Sequence, residues 1–318
     1  MRGIAILDDY QSVMREVADW SRLPAEFSLT VFEDHLDDEA DVAARLRDFE
    51  VVVMNRERTP FRDTLLARLP NLKLLVTNGM RNLSIDLAAA AEHGITVCGT
   101  RGRANATPEL TWGLILSLLR HIPHEDRGMR EGGWQTTLGR ELAGATLGIV
   151  GLGRIGAQVA KVGLAFGMAV MAWSPNLSEE RAAEVGVRRV DKATLFAAAD
   201  VITLHLVLSE RSRGIVGPED IGRMKSTAYL VNTSRGPLVD EAALLRALQT
   251  GAIAAAGLDV YDIEPLPAAH PLRALPNTVL TPHLGYVTEE TYRTGFGDAV
   301  ENIIAWADGA PVRVLTDG

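Results

Sequence analysis

Cysteine is nearly missing from this 318-residue chain: Cys98 stands alone. A single thiol excludes an internal disulfide and a paired-cysteine metal site, and it fits a reducing cytoplasm. No metal is expected. Cys98 closes the strand-like run 95–98, where it reads as a buried structural thiol. Basic residues are also short, with 32 Lys and Arg against 41 Asp and Glu and a formal charge of −9. Without a cationic surplus to neutralise phosphates, non-specific nucleic-acid binding is disfavoured. No apolar run reaches membrane-spanning length. The N-terminal segment turns acidic at Asp8 after one apolar run, so it reads as a first strand and not as a signal peptide. Low-complexity tracts and simple repeats are absent as well. These absences leave a cytoplasmic globular chain with no nucleic acid and no membrane among its partners.

What is present is a rhythm. Short apolar runs at 3–7, 28–32, 51–54, 73–76 and 95–98 alternate with helical patterns such as 40–46 and 85–91. The alternation resumes with runs at 148–150, 169–173, 201–206, 228–232, 256–258 and 278–280. Such alternation predicts α/β architecture: parallel sheets covered by helices, in two Rossmann-like or flavodoxin-like domains. The length allows two separate cores. The two series are joined by 107–121, read as one long helix from the spacing of Leu110, Leu114, Ile115, Leu118 and Leu119, with Pro108 in its first turn. A second long helix is predicted over 288–307. Two such connections predict a discontinuous substrate domain, residues 1–103 plus 286–318, with a dinucleotide-binding domain, 104–285, inserted into it.

The strongest single signal is Gly151-Leu-Gly-Arg-Ile-Gly156, which follows the strand-like run 146–150 and opens an apolar helical pattern closed by Gly167. In that setting each glycine has mechanical meaning. Gly151 allows the tight turn, Gly153 lets the backbone approach a pyrophosphate, and Gly156 lets helix and sheet pack closely. The N–H groups at the helix start, including those of Arg154 and Ile155, then face the anion.

Three further segments end apolar runs with chemistry-bearing residues, where ligand groups sit in open α/β sheets. Arg235, in Asn232–Asp240, can hold a carboxylate by two parallel hydrogen bonds, or can cap a surface loop. Asp259, Asp262 and Glu264 follow the run 256–258; three acids there suit a solvated rim as well as a site. His283, in Thr281-Pro-His-Leu-Gly285, can donate and accept a proton near neutral pH, although a lone loop histidine is more often merely solvated. The order Arg, Glu, His at successive strand ends favours catalysis.

Taken together, Gly151–Gly156, Asn232–Asp240, Gly257–Pro265 and Thr281–Gly285 resemble the motifs of the D-isomer-specific 2-hydroxyacid dehydrogenases. That family includes phosphoglycerate, glyoxylate/hydroxypyruvate and D-lactate dehydrogenases. The resemblance spans nearly the whole chain. It implies hydride transfer between a nicotinamide dinucleotide and C2 of a D-2-hydroxy acid or 2-oxo acid. His283 would serve as acid/base, Glu264 would orient it, and Arg235 would bind substrate. It also implies cofactor contacts from Gly151, Gly153, Arg154, Ile155, Gly156, Ser174, His205, Thr233, Asp259 and Thr107. Substrate contacts would come from Asn78, Gly79 and Met80, whose backbone N–H groups would take the carboxylate, together with Arg235 and His283. A homodimer paired through the cofactor domains is implied too.

The chain departs from the family pattern at the end of the second cofactor strand. Ser174 stands where an NAD-specific member has Asp, so the cofactor is read as NAD with NADP open. Arg56, Arg81, Arg101 and Arg103 fall near strand ends in the first domain. Each suits solvated surface, and one or two could bind a second anionic group on the substrate. Two other readings remain: a non-enzymatic NAD(H)-sensing corepressor-like protein, and a formate dehydrogenase-like enzyme, which has Gln where Glu264 stands.

Overall fold

The structure, a computed structural model, describes residues 1–316. It contains two compact units, Met1–Arg103 with Thr288–Gly318, and Ala104–Val287. The second passage between units falls at 287/288 and not at the expected 285/286.

The first unit begins β1 (Arg2–Ile6), β2 (Phe27–Val31), α1 (Glu39–Leu46), β3 (Val51–Met54), α2 (Asp63–Leu66), β4 (Leu74–Thr77), α3 (Leu87–Glu92) and β5 (Thr96–Cys98). Its strands form one parallel sheet in the order β2-β1-β3-β4-β5, a flavodoxin-like arrangement. β3 and β4 are wholly buried and, but for Thr77, apolar, as a parallel sheet covered on both faces requires. Asp38 and Asp86 cap α1 and α3 by accepting first-turn N–H groups. Cys98 is fully buried, and burial pushes its thiol up to about 11, which suits a structural role.

The second unit runs through α4 (Ala106–Leu119), α5 (Ile122–Arg130), β6 (Thr146–Val150), α6 (Arg154–Ala165), β7 (Ala169–Trp173), α7 (Glu179–Val185), β8 (Arg188–Arg189), α8 (Lys192–Ala198), β9 (Val201–Leu204), α9 (Pro218–Arg223), β10 (Tyr229–Asn232), α10 (Glu241–Thr250), β11 (Ala255–Leu258) and β12 (Thr278–Leu280). The chain then returns to the first unit in α11 (Glu289–Ala307), capped by Thr288. The second sheet is also parallel, ordered β12-β11-β10-β9-β6-β7-β8. Counted from β6 this is the doubly wound order 3-2-1-4-5-6 with one strand added, so its topological switch point lies between β6 and β9. Apolar clusters fill both faces of this sheet. The architecture is α/β, two parallel sheets in two Rossmann-like units.

Two local expectations need correction. The helix expected over 107–121 stops at Leu119; His121 takes φ 52° and α5 starts anew. None of α5's residues is buried, so it carried no core-facing periodicity to read. The two-residue edge strand β8 is exposed arginine and gave no apolar signal either. Among the described residues no helix is long and apolar enough to cross a membrane.

Candidate active site

The glycine turn occupies the switch point, and its three glycines are glycine for three different reasons. Gly151 adopts φ 103°, and a Cβ there would stand 2.8 Å from the carbonyl of His205. At Gly156 a Cβ would stand 2.1 Å from the carbonyl oxygen of Gly151, so α6 could not pack on the turn. A Cβ on Gly153 would meet no protein atom within 4 Å. The fold itself makes no demand at Gly153, so a glycine there serves the close approach of something else. No side chain caps α6, which begins at Arg154, and its first N–H groups are left for an anion. The turn fits a dinucleotide pyrophosphate.

Ser174, expected to meet the cofactor's ribose, directly follows β7, and its hydroxyl has no partner among the described residues. Of the arginines that follow in sequence, Arg181 pairs with Glu184 at 2.9 Å and Arg189 with Glu179 at 3.0 Å. His205 follows β9; its Nε2 lies 3.0 Å from Thr203 Oγ1, and burial pushes its pKa down to about 3, so the ring is neutral.

The ends of β10, β11 and β12 build the rest. Beyond β10, Asn232 bridges its own loop, accepting the Ser234 N–H and donating to the Arg235 carbonyl at 2.8 Å. The Arg235 guanidinium donates to the Ser234 carbonyl at 2.7 Å. At Gly236 a Cβ would collide with the Tyr261 carbonyl carbon at 2.1 Å, so this loop lies hard against the turn carrying Glu264. Thr111 donates to the Thr107 carbonyl and lies 2.8 Å from Thr233, so the Thr233 hydroxyl is the donor of that pair.

Beyond β11, Glu264 folds back on its own turn. Oε1 accepts the Tyr261 N–H at 2.8 Å, and Oε2 lies 2.5 Å from His283 Nδ1. The imidazole packs edge-on against Tyr286, ring centroids 5.4 Å apart. His283 sits at φ 54°, a conformation non-glycine residues rarely adopt. Asp259 holds it there. This fully buried carboxylate accepts the Thr281 hydroxyl (2.6 Å), the Leu284 N–H (2.7 Å) and the Gly285 N–H (2.9 Å), while its carbonyl accepts the His283 N–H (2.8 Å). Burial pushes the Asp259 carboxyl up, against the pull of these donors. Thr107, in the first turn of α4, closes the same turn by donating to the Gly285 carbonyl at 2.8 Å. Asp259 and Thr107 thus brace the His283 turn, a use the sequence did not suggest. The turn it braces lies 26 positions further along the chain at Gly285, so the fold was needed to reveal the contact. Asp262 is exposed and has no hydrogen bond to His283 or Glu264 among the described residues; desolvation raises its carboxyl, with Glu241 adding to the shift.

In the first unit, the loop after β4 has its peptides partly used. Gly79 donates its N–H to Thr100 Oγ1 (3.0 Å), and the Asn78 carbonyl accepts from Arg56 (3.1 Å). Gly79 has φ 94°. The N–H groups of Met80 and Arg81 have no acceptor among the described residues. Of the three expected substrate peptides, Asn78, Gly79 and Met80, the Gly79 N–H is thus already used within the fold. Arg101, expected as a possible anion ligand, is tied by its guanidinium to the buried Asp298 at 2.5 Å. Arg81 and Arg103 have no partner among the described residues.

Comparison with known proteins follows this geometry closely. Residues 112–285 match the family model described as D-isomer specific 2-hydroxyacid dehydrogenase, NAD binding domain. The glyoxylate reductase of Korarchaeum cryptofilum is 35% identical over 307 residues, covering 93% of this chain and 92% of that one. The D-3-phosphoglycerate dehydrogenase of Bacillus subtilis is 37% identical over 276 residues, covering 86% of this chain and 52% of that protein. The chain thus spans about half the length of this relative. A crystal structure of a phosphoglycerate oxidoreductase from Vibrio cholerae superposes with a TM-score of 0.93 at 43% identity, covering 98% of this chain and all of that one.

Proposed function

Because the chain belongs to the D-isomer-specific 2-hydroxyacid dehydrogenase family, we propose that it is an oxidoreductase interconverting a D-2-hydroxy acid and its 2-oxo acid with NAD(H). The observation that carries this reading is the His283–Glu264 pair, held in a constrained turn at the strand ends of the same sheet as the glycine turn. Bound at Gly151–Gly156, the dinucleotide would supply or accept the hydride at C2.

The remaining chemistry belongs to side chains. Glu264 takes Nδ1 of His283, which fixes the ring and favours a proton on that nitrogen. Nε2 has no partner among the described residues, so it is the atom that gives a proton to the carbonyl oxygen in reduction and takes it back in oxidation. General acid–base help of this kind is worth roughly 10²–10⁴-fold. Arg235 supplies a fixed cation to the substrate's carboxylate and polarises its carbonyl. The paired peptides Met80 and Arg81, following the positive-φ Gly79, suit a carboxylate as an N–H nest does. Ser174, with Arg181 and Arg189 already paired, supports NAD over NADP. Glyoxylate, hydroxypyruvate and the 2-oxo acid of 3-phosphoglycerate are the first substrates to try, by analogy with a glyoxylate reductase, a hydroxypyruvate reductase and a D-3-phosphoglycerate dehydrogenase.

The second unit also supports a homodimer. Ile122, Met129, Trp134 and Leu138 are all half or more exposed, Leu138 at 92%. The segment carrying them is nonetheless held rigidly, because Glu125 accepts the N–H groups of Thr136 and Thr137. Rigid exposed apolar side chains suit a partner copy.

The test is direct. Purified protein with NADH and a panel of 2-oxo acids should oxidise NADH, and His283→Ala should abolish the turnover. Tight NADH binding with no turnover on any 2-oxo acid would instead favour the NAD(H)-sensing reading.

A further inference from the structure

α11 is unusual for a buried helix. Its inward face, Tyr292, Gly295, Phe296, Ala299 and Ile303 at helical spacing, carries polar groups as well as apolar ones. Asp298 is 1% exposed and Asn302 fully buried. Buried polar groups are costly unless each has a partner, and each of these has one at the same place: the loops at the carboxyl ends of β3, β4 and β5. Tyr292 OH takes the Asn55 Nδ2 proton (3.3 Å) beyond β3, and Asn55 Oδ1 takes the Asn78 Nδ2 proton (3.1 Å) beyond β4. Tyr292 in turn donates to Gln11 (3.3 Å). Asp298 accepts the Arg101 N–H (2.7 Å), and Asn302 donates to the Gly99 carbonyl (2.9 Å), both beyond β5. Between those two residues, Thr100 accepts the Gly79 N–H. Gly295 faces Asn78 itself: a Cβ there would stand 2.7 Å from Asn78 Oδ1. Asn78 Oδ1 is buried with no hydrogen-bond partner, so that side of the residue is held by contact alone.

We propose that Tyr292, Gly295, Asp298 and Asn302, one face of α11, together with Asn55, are positioning residues that fix the loop Asn78–Arg81 and so set affinity for the substrate carboxylate. This rests on the reading of Met80 and Arg81 as carboxylate ligands. None of the five touches substrate. They act through the side-chain chain to Asn78 and through the Thr100–Gly79 bond. The helix is the common fixture, so a small change on it moves a ligand-binding peptide on a different loop.

Tyr292→Phe removes one hydroxyl and keeps the ring that packs against Phe296. Gly295→Ala puts a methyl against Asn78 while improving helix propensity. Each should raise KM for the best 2-oxo acid of the panel about five- to tenfold, the effect of one mis-set hydrogen bond. Turnover number and NADH affinity should stay within about twofold. Arg293→Ala, on the exposed face of the same helix, should leave KM unchanged. Hydrogen exchange of the peptide spanning residues 78–83 should quicken in Tyr292→Phe and not in Arg293→Ala. Unchanged KM and unchanged exchange in Tyr292→Phe would overturn the proposal. A parent protein with no turnover on any 2-oxo acid would sink the enzymatic reading alone, and the exchange measurement would still decide this one.

Discussion

Replacing Asp259 by Asn tests the site where structure and chemistry meet. Asp259 is fully buried and serves three donors, two on Oδ1 and the Gly285 N–H on Oδ2. An asparagine can keep the first two by placing its oxygen at Oδ1. Its amide nitrogen then faces the Gly285 N–H, so one bond is lost and two donors confront each other. Losing a hydrogen bond to a charged acceptor costs about 1.5–3 kcal/mol. For a unit of this size that corresponds to a melting shift of about 4–8 °C. Function should suffer more. The turn at φ 54° that aims His283 would relax, and a displacement on the order of 1 Å at a reacting group costs roughly a hundredfold in turnover. Thermal melting followed by circular dichroism, beside NADH oxidation with the best 2-oxo acid, reads both numbers. An Asn variant with unchanged melting and full turnover would refute the account of how His283 is held.

Other expectations follow from single distances. Gly153→Ala meets no protein atom, so it should melt normally yet bind NADH at least about tenfold more weakly by calorimetry, whereas Gly156→Ala, blocked by a backbone oxygen, should lose about 1–3 kcal/mol of stability as overpacked sites do. Equal NADH affinity in Gly153→Ala would remove the argument for a pyrophosphate there. His205 is depressed to about 3 from 6.5, so the unfolded chain takes up a proton that the folded one refuses. Its contribution to stability is complete above about pH 6.5 and is lost as pH falls below it, at up to about 1.4 kcal/mol per pH unit. Urea unfolding at pH 7.5 and pH 5 should show that slope reduced in His205→Asn; parallel slopes would contradict it. Trp134→Ala with Leu138→Ser should convert a dimer to a monomer in sedimentation, and an unaltered sedimentation coefficient would clear this segment of a role in pairing.

Much of the fold was legible because parallel sheets leave a plain trace. Buried runs such as Val51–Met54 and 74–76 are apolar throughout, and the glycine turn follows a strand with fixed spacing. Glu264 and His283, singled out in the sequence past the ends of two such runs, are brought together by the fold. What escaped was whatever depends on partners distant in sequence. Asp259 is a bracing group only because Thr281, Leu284 and Gly285 come to it from the next strand end. The use of the Gly79 N–H by Thr100 lies 21 positions away in the chain. α5 escaped for a different reason: it is short, largely polar and buries nothing, so it left no apolar run to read. The polar inward face of α11 reads in sequence as a weakly patterned helix, and only the loops it meets give it meaning.

The central claim is that His283 and Glu264 act as one acid–base unit on a 2-oxo acid. A double-mutant cycle measures this most directly, with kcat/KM for NADH-dependent reduction taken for the parent, Glu264→Gln, His283→Ala and the double variant. Glu264→Gln alone should lose about 10–100-fold, as expected for removing a charge-assisted hydrogen bond. With His283 already gone, the same change should lose almost nothing. Losses that simply multiply, or a Glu264→Gln protein with full activity, would contradict the account.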